Sequence, residues 1–129
     1  MISKGVKSIF PIKNQEIWDR YKQHIQAFWT TEEVSLQDDL RDLETLNEGE
    51  KHFIKHVLAY FANSEAMINE NLASRFYKEI LIPEARCFIS MQMLNESIHA
   101  EMYGLQIEAY VKDTKEKDML FDAIQNVPC

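Results

Sequence analysis

Between Gln15 and about Trp29 the apolar residues Ile17, Tyr21, Ile25 and Phe28 recur every three or four positions, the period of a helix that buries one side. Thr30-Thr31-Glu32-Glu33 breaks the pattern, and a short helix carrying Leu40, Leu43 and Leu46 follows. Asn47 then reads as the cap of a long helix. Glu48 and Glu50 fall in its first turn, where carboxylates meet the positive helix end. Its apolar stripe runs Phe53, Val57, Tyr60, Phe61, Ile68 and Leu72. Pro83 opens a second long helix at its first turn, where a missing N–H costs nothing, and the pattern continues to Val111. At ~1.5 Å per residue that helix spans roughly 40 Å, a length usual in bundles. Asp113 or Thr114 caps a last segment with Met119, Leu120 and Ile124, which Pro128 interrupts. Residues 1 to about 14, with Pro11, carry little periodicity and read as an extended lead-in. No repeat or strand-like alternation of useful length occurs, so the class is all-α, with long antiparallel helices and short connections.

Composition narrows this further. The chain has 129 residues, one domain or part of one, and is 46% apolar with only 3 Gly and 3 Pro. A net charge of −7 without basic clusters argues against a nucleic-acid or anionic-membrane partner. The longest apolar runs fall short of the ~20 residues that cross a bilayer, and no stretch reads as a signal peptide. Cys87 and Cys129 have no metal-type spacing and are too few for a disulfide framework, so a reducing, cytoplasmic setting is expected. Asn95-Glu96-Ser97 matches a glycosylation triplet, but it lies inside a helix and is read as chance.

The chemistry lies in MQMLNESIHAEMYGLQIEAYV. Glu96, His99 and Tyr103 stand three and four residues apart, on one helix face within roughly 60°. A carboxylate and an imidazole one turn apart are what di-iron and di-manganese bundles take from a single helix. Alone, Glu-x-x-His also fits a surface pair worth a few tenths of a kcal/mol. Met91, Met93, Leu94, Ile98 and Met102 surround it, however, and a buried carboxylate with a buried imidazole is costly unless a cation joins them. On the preceding helix Glu65 sits among Ala62, Ala66, Met67 and Ile68, small enough neighbours in part for helices to close around an ion. Glu70 competes for that role but lies about 140° round the helix. His52 and His56 form an i,i+4 pair able to bind metal, yet their segment is strongly charged and offers no third ligand, so a solvated surface is expected. Trp29, in AFWTTEEV, reads on its own as a core or helix-end anchor.

FPIKNQEIW, AFWTTEEVSLQDDL, FIKHVLAYFANSEAMINENL, PEARCFISMQMLNESIHAEMY and the VKD-to-VPC end together resemble the small, radical-generating subunit of class I ribonucleotide reductase, in its eukaryotic and viral form. The likeness runs from about Ser8 to Cys129. It implies a ferritin-like bundle in which His99 is a ligand of the first metal and Glu96 bridges two metals. Tyr103 resembles the tyrosine oxidised to a stable radical, and Trp29 the tryptophan that relays an electron to the metal centre. Glu65 falls where the common pattern has an aspartate. A related subgroup that uses manganese and iron also has Glu there but lacks the radical tyrosine. The resemblance therefore implies di-iron, with manganese–iron made possible by Glu65.

The resemblance also implies that residues 1–129 are part of one ferritin-like domain. The helix pair bearing the second metal's ligands, and the tail that docks on the large subunit, are expected to lie outside this sequence. The implied partners are the large catalytic subunit of the reductase and, as homodimer or heterodimer, another small subunit. Two other readings stay open. One is a truncated, catalytically inert helical partner of an intact small subunit, and the other is a ferritin-like metal-binding oxidase. Against the oxidase, Phe-Trp-Thr and Pro-Glu-Ala-Arg-Cys-Phe match the family without being ligands.

Overall fold

Asn47 shows how directly local sequence starts these helices. Its side-chain oxygen accepts the Glu50 N–H at 3.0 Å, and the Glu50 carboxylate accepts the Asn47 N–H at 2.9 Å. This reciprocal cap satisfies two donors that a helix start leaves free and opens α3, Glu48–Asn71. The structure, a computed structural model, describes residues 8–122. The other helices are α1 (Gln15–Gln26), α2 (Gln37–Thr45), α4 (Tyr77–Glu79), α5 (Pro83–Tyr110) and α6 (Thr114–Phe121). Pro83 stands in the first turn of α5, and Asp113 caps α6 by accepting the Glu116 N–H at 2.8 Å. Ile124, Pro128 and Cys129 lie outside the described residues, as does the start of the lead-in.

Two boundaries differ from expectation. The first helix ends at Gln26, so Trp29 lies beyond it. Thr30 adopts extended backbone, and its N–H donates to the Glu33 carboxylate at 2.7 Å, which sets up a short 3₁₀ turn at Thr31–Glu33 instead of a helical continuation. After Asn71 the chain widens into a π turn, Leu72–Phe76, before α4. No Gly or Pro marks that widening in NLASRF.

The helices α3 and α5 pack antiparallel. Asn69 donates to Ser97 at 3.1 Å, while Leu58, earlier in α3, shares a buried cluster with Ile107, later in α5. That cluster also holds Ala59, Val111 and Leu120, with Ile54, Ala62, Tyr103 and Tyr110 against it. The expected apolar stripe of α3 is not the covered one. Phe53 and Tyr60 are 67% and 68% exposed, and Phe61 and Ile68 are exposed as well, although Leu72 is buried. The covered side runs through Leu58, Ala59 and Glu65. The helix is apolar on more than one side, and small Ala59 and Ala62 let α5 approach most closely on this one.

The segment leading into α2 is strapped along α5 in parallel. Glu84 takes hydrogen bonds from Lys13 and Asn14, His24 pairs with Asn95, Thr31 with Glu101, and Asp39 with Tyr110. Every pair is separated by 70 or 71 residues. The constant offset means that the strap, helical in α1 and α2 and irregular between them, keeps pace on average with the rise of α5. Among the described residues no helix is long and apolar enough to cross a membrane.

Candidate metal centre

The antiparallel packing brings Glu65 of α3 opposite Glu96 and His99 of α5. One ligand atom from each lies within 4.8 Å of the others, and this is the only such group of three among the described residues. The His99 Nδ1 is 3.2 Å from a Glu96 oxygen and 3.8 Å from a Glu65 oxygen. Gln92, one turn below, donates to the other Glu96 oxygen at 3.4 Å. Glu65 is 7% exposed, and its Oε2 is buried without a hydrogen-bond partner. Glu70 is exposed and stays outside the group.

The electrostatics are those of carboxylates forced together. Burial, then a shared hydrogen bond and repulsion from Glu96, push Glu65 up to about 7, against a small opposing pull from His99. Burial would raise Glu96 too. Hydrogen bonds from Glu65, Gln92 and His99, with the charge of His99, outweigh it and hold Glu96 below its ordinary value. Two carboxylates, an imidazole and an orphaned buried oxygen are poorly served by each other alone. A divalent cation would accept that oxygen's lone pair and remove the repulsion, so the donor set fits an oxygen- and nitrogen-preferring first-row metal.

Tyr103 lies one turn beyond His99 and stacks on Phe61 of α3, ring centres 5.4 Å apart and planes 20° from parallel. Met102 and Ile107, near it on α5, are both buried. Burial, then the charges of Glu65 and Glu96, raise its phenol above the ordinary value. Trp29 is half-buried, with its ring centre 6.1 Å from that of His99 and the planes 29° apart. His52 and His56 bring their rings to 3.9 Å, but the pair belongs to no group of three donors among the described residues.

Sequence reasoning missed Glu84. It is 1% exposed and receives the N–H groups of Lys13 at 2.7 Å and Asn14 at 3.1 Å, plus the Asn14 side chain at 3.2 Å. The hydrogen bond from Lys13, then one from its own backbone N–H, and those from Asn14 hold its carboxyl down at about 2 against the effect of burial. Thr31, 5% exposed and donating to Glu101 at 2.9 Å, was also missed. For both, the only sequence signal was membership of the family-like strings around them, because each partner is some 70 residues away.

A family model described as "Ribonucleotide reductase, small chain" matches residues 6–129. The ribonucleoside-diphosphate reductase small chain of Yaba-like disease virus is 52% identical over 121 residues, 94% of this chain and 37% of the relative. That of Swinepox virus is 53% identical over the same length, covering 44% of the relative. The chain thus spans less than half the length of these relatives. Among solved structures, the Saccharomyces cerevisiae ribonucleotide reductase Rnr4 homodimer superposes with a TM-score of 0.83 at 32% identity, over 98% of this chain and 40% of that one. The ribonucleotide reductase R2 subunit of Clostridium botulinum shares the fold, with a TM-score of 0.82 at 22% identity over 95% of this chain and 38% of that one.

Proposed function

This chain belongs to the ribonucleotide reductase small-chain family, and from that premise we propose that it forms part of a ribonucleoside-diphosphate reductase small subunit, supporting reduction of ribonucleotides to deoxyribonucleotides. Residues 1–129 would be one part of a ferritin-like domain in a cytoplasmic enzyme. Its partners would be a large catalytic subunit and a second small subunit. The observation that carries the reading is the convergence of Glu65, Glu96 and His99 at one point between α3 and α5, with Glu65 buried and Glu96 and His99 half-buried.

In this reading Glu65, Glu96 and His99 hold metal, iron by preference and manganese with iron as the alternative that Glu65 permits. When bound, the metal pair supplies the oxidising power, drawn from oxygen, that removes an electron from a tyrosine. The chain's own residues prepare for that. Gln92 orients one oxygen of Glu96 and leaves the other facing His99 and Glu65. Glu65, whose carboxyl is raised to about 7, would give up its proton on taking a metal, since a ligand must bind deprotonated. Tyr103 is kept as the neutral phenol by burial and by the carboxylates, so its oxidation must release the phenolic proton together with the electron. Phe61 covers one face of its ring and limits access of water and reductants. Trp29 would pass an electron towards the metal side, a role that its position beside His99 supports.

Ferrous-ion titration of the 129-residue chain under anaerobic conditions tests the ligand assignment. Glu65→Ala and His99→Ala should each weaken binding ~10-fold or more. Unchanged metal content in both variants overturns it. In the complete subunit, Tyr103→Phe should abolish the tyrosyl electron-paramagnetic signal while leaving iron content intact. A signal that persists would place the radical on another residue.

A further inference from the structure

Trp29 faces His99, yet no helix holds it there. The chain between Gln26, where α1 ends, and Gln37, where α2 begins, contains only the three-residue turn Thr31–Glu33. Nothing in local backbone geometry dictates where the indole goes. Two cross-links to α5 bracket it. Below, His24 pairs with Asn95 at 2.8 Å, and above, Thr31 donates to Glu101 at 2.9 Å. Trp29 and His99 each lie two residues before the upper link. Thr31 is the buried member of this segment, and the Glu33 carboxylate pins the turn that presents it.

We propose that the Thr31–Glu101 hydrogen bond, with His24–Asn95 beneath it, is a positioning device that holds the Trp29 indole against the His99 imidazole. Thr31 and Glu101 are positioning residues, since they act on Trp29 through the backbone register they set. The importance of the device for electron relay rests on the reading of Trp29 given above. Its geometry stands apart from that reading. A hydroxyl buried beside one carboxylate has a single good arrangement, and breaking that link frees the segment to shift along α5.

The competing explanation is that the Thr31 methyl group merely fills space, and the two make opposite predictions. Thr31→Val keeps the shape and removes the donor, whereas Thr31→Ser keeps the donor and removes the methyl. In a Trp18→Phe background, where Trp29 is the only indole, acrylamide quenching and emission maximum report its cover. Far-UV circular dichroism monitors the helices. Thr31→Val should raise the quenching constant about two-fold or more with a red shift, and Thr31→Ser should stay near the parent. Glu101→Ala should match Thr31→Val, and the double variant should add nothing further, because both remove the same bond. Parental quenching in Thr31→Val, or a larger change in Thr31→Ser, overturns the proposal. Should Thr31→Val lose helix, the more exposed Glu101 decides, and parental quenching in Glu101→Ala overturns it. None of these outcomes bears on the metal reading. If Trp29→Phe left radical yield in the complete subunit unchanged, the relay role would fall and the positioning device would stand.

Discussion

A buried carboxylate oxygen without a partner is a liability unless something external satisfies it, and Glu65 carries one. Its side chain is one methylene longer than the aspartate that the resemblance leads one to expect. In the complete subunit, Glu65→Asp should keep activity with iron and lower any activity with a manganese–iron load, because geometry separates these metals more than raw affinity does. Turnover with each metal mixture checks this, and identical profiles for parent and variant would remove Glu65 from the question of preference. Glu84 gives a pH-dependent case. Its carboxyl titrates near 2 in the folded chain against 4.5 unperturbed, so its contribution to stability is complete above about 4.5 and fades as pH falls towards 2. Urea midpoints should show Glu84→Gln well below the parent at pH 7 and level with it near pH 2. A gap independent of pH would mean that the charge is not what Glu84 contributes. The spacing of Glu96, His99 and Tyr103 was legible because all three sit on one helix. Glu84 was not, because the N–H groups it receives lie some 70 residues earlier.

At the scale of elements, helix starts were read well and helix sides were not. Asn47 and Pro83 act where the sequence placed them, and Asp113 takes the cap that the sequence left between Asp113 and Thr114, because capping involves atoms within one turn. Asn47→Ala should therefore cost about 1 kcal/mol of stability, read from urea unfolding at constant slope. No loss would show that Glu50 and solvent suffice. Which side of α3 is covered could not be settled by its own pattern. Phe53, Val57, Tyr60 and Phe61 form as good a stripe as Leu58, Ala59 and Ala62, and the choice falls to whichever side α5 can approach. The π turn at Leu72–Phe76 leaves no trace in composition at all.

The molecule as a whole combines a small covered core with a large apolar exterior. Phe53, Tyr60, Met67 and Phe76 are each more than half exposed, and Phe61, Leu94 and Leu105 add to the same exposed inventory. Monomeric proteins rarely leave so much apolar surface in water. The 129-residue chain should accordingly self-associate, with a sedimentation coefficient that rises with concentration. Phe53→Lys combined with Tyr60→Lys should reduce that dependence while preserving helical circular dichroism. A chain that stays monomeric at high micromolar concentration would show that the side chains repack to cover themselves.

The sequence by itself determined the all-α class, the helix starts and the shared face of Glu96, His99 and Tyr103. Each depends on atoms within about one helical turn, and spacing encodes such contacts directly. Tertiary structure alone decided that α5 lies against the Leu58–Ala59 side of α3, so that Glu65 meets His99 while Glu70 stays in solvent. It also decided that Trp29, outside any helix, faces His99. Both depend on how distant segments register against one another, antiparallel for α3 and at a constant offset of 70 or 71 residues for the strap. Register is set by the summed packing of whole faces and by a few buried hydrogen bonds, and no local run of residues carries that sum.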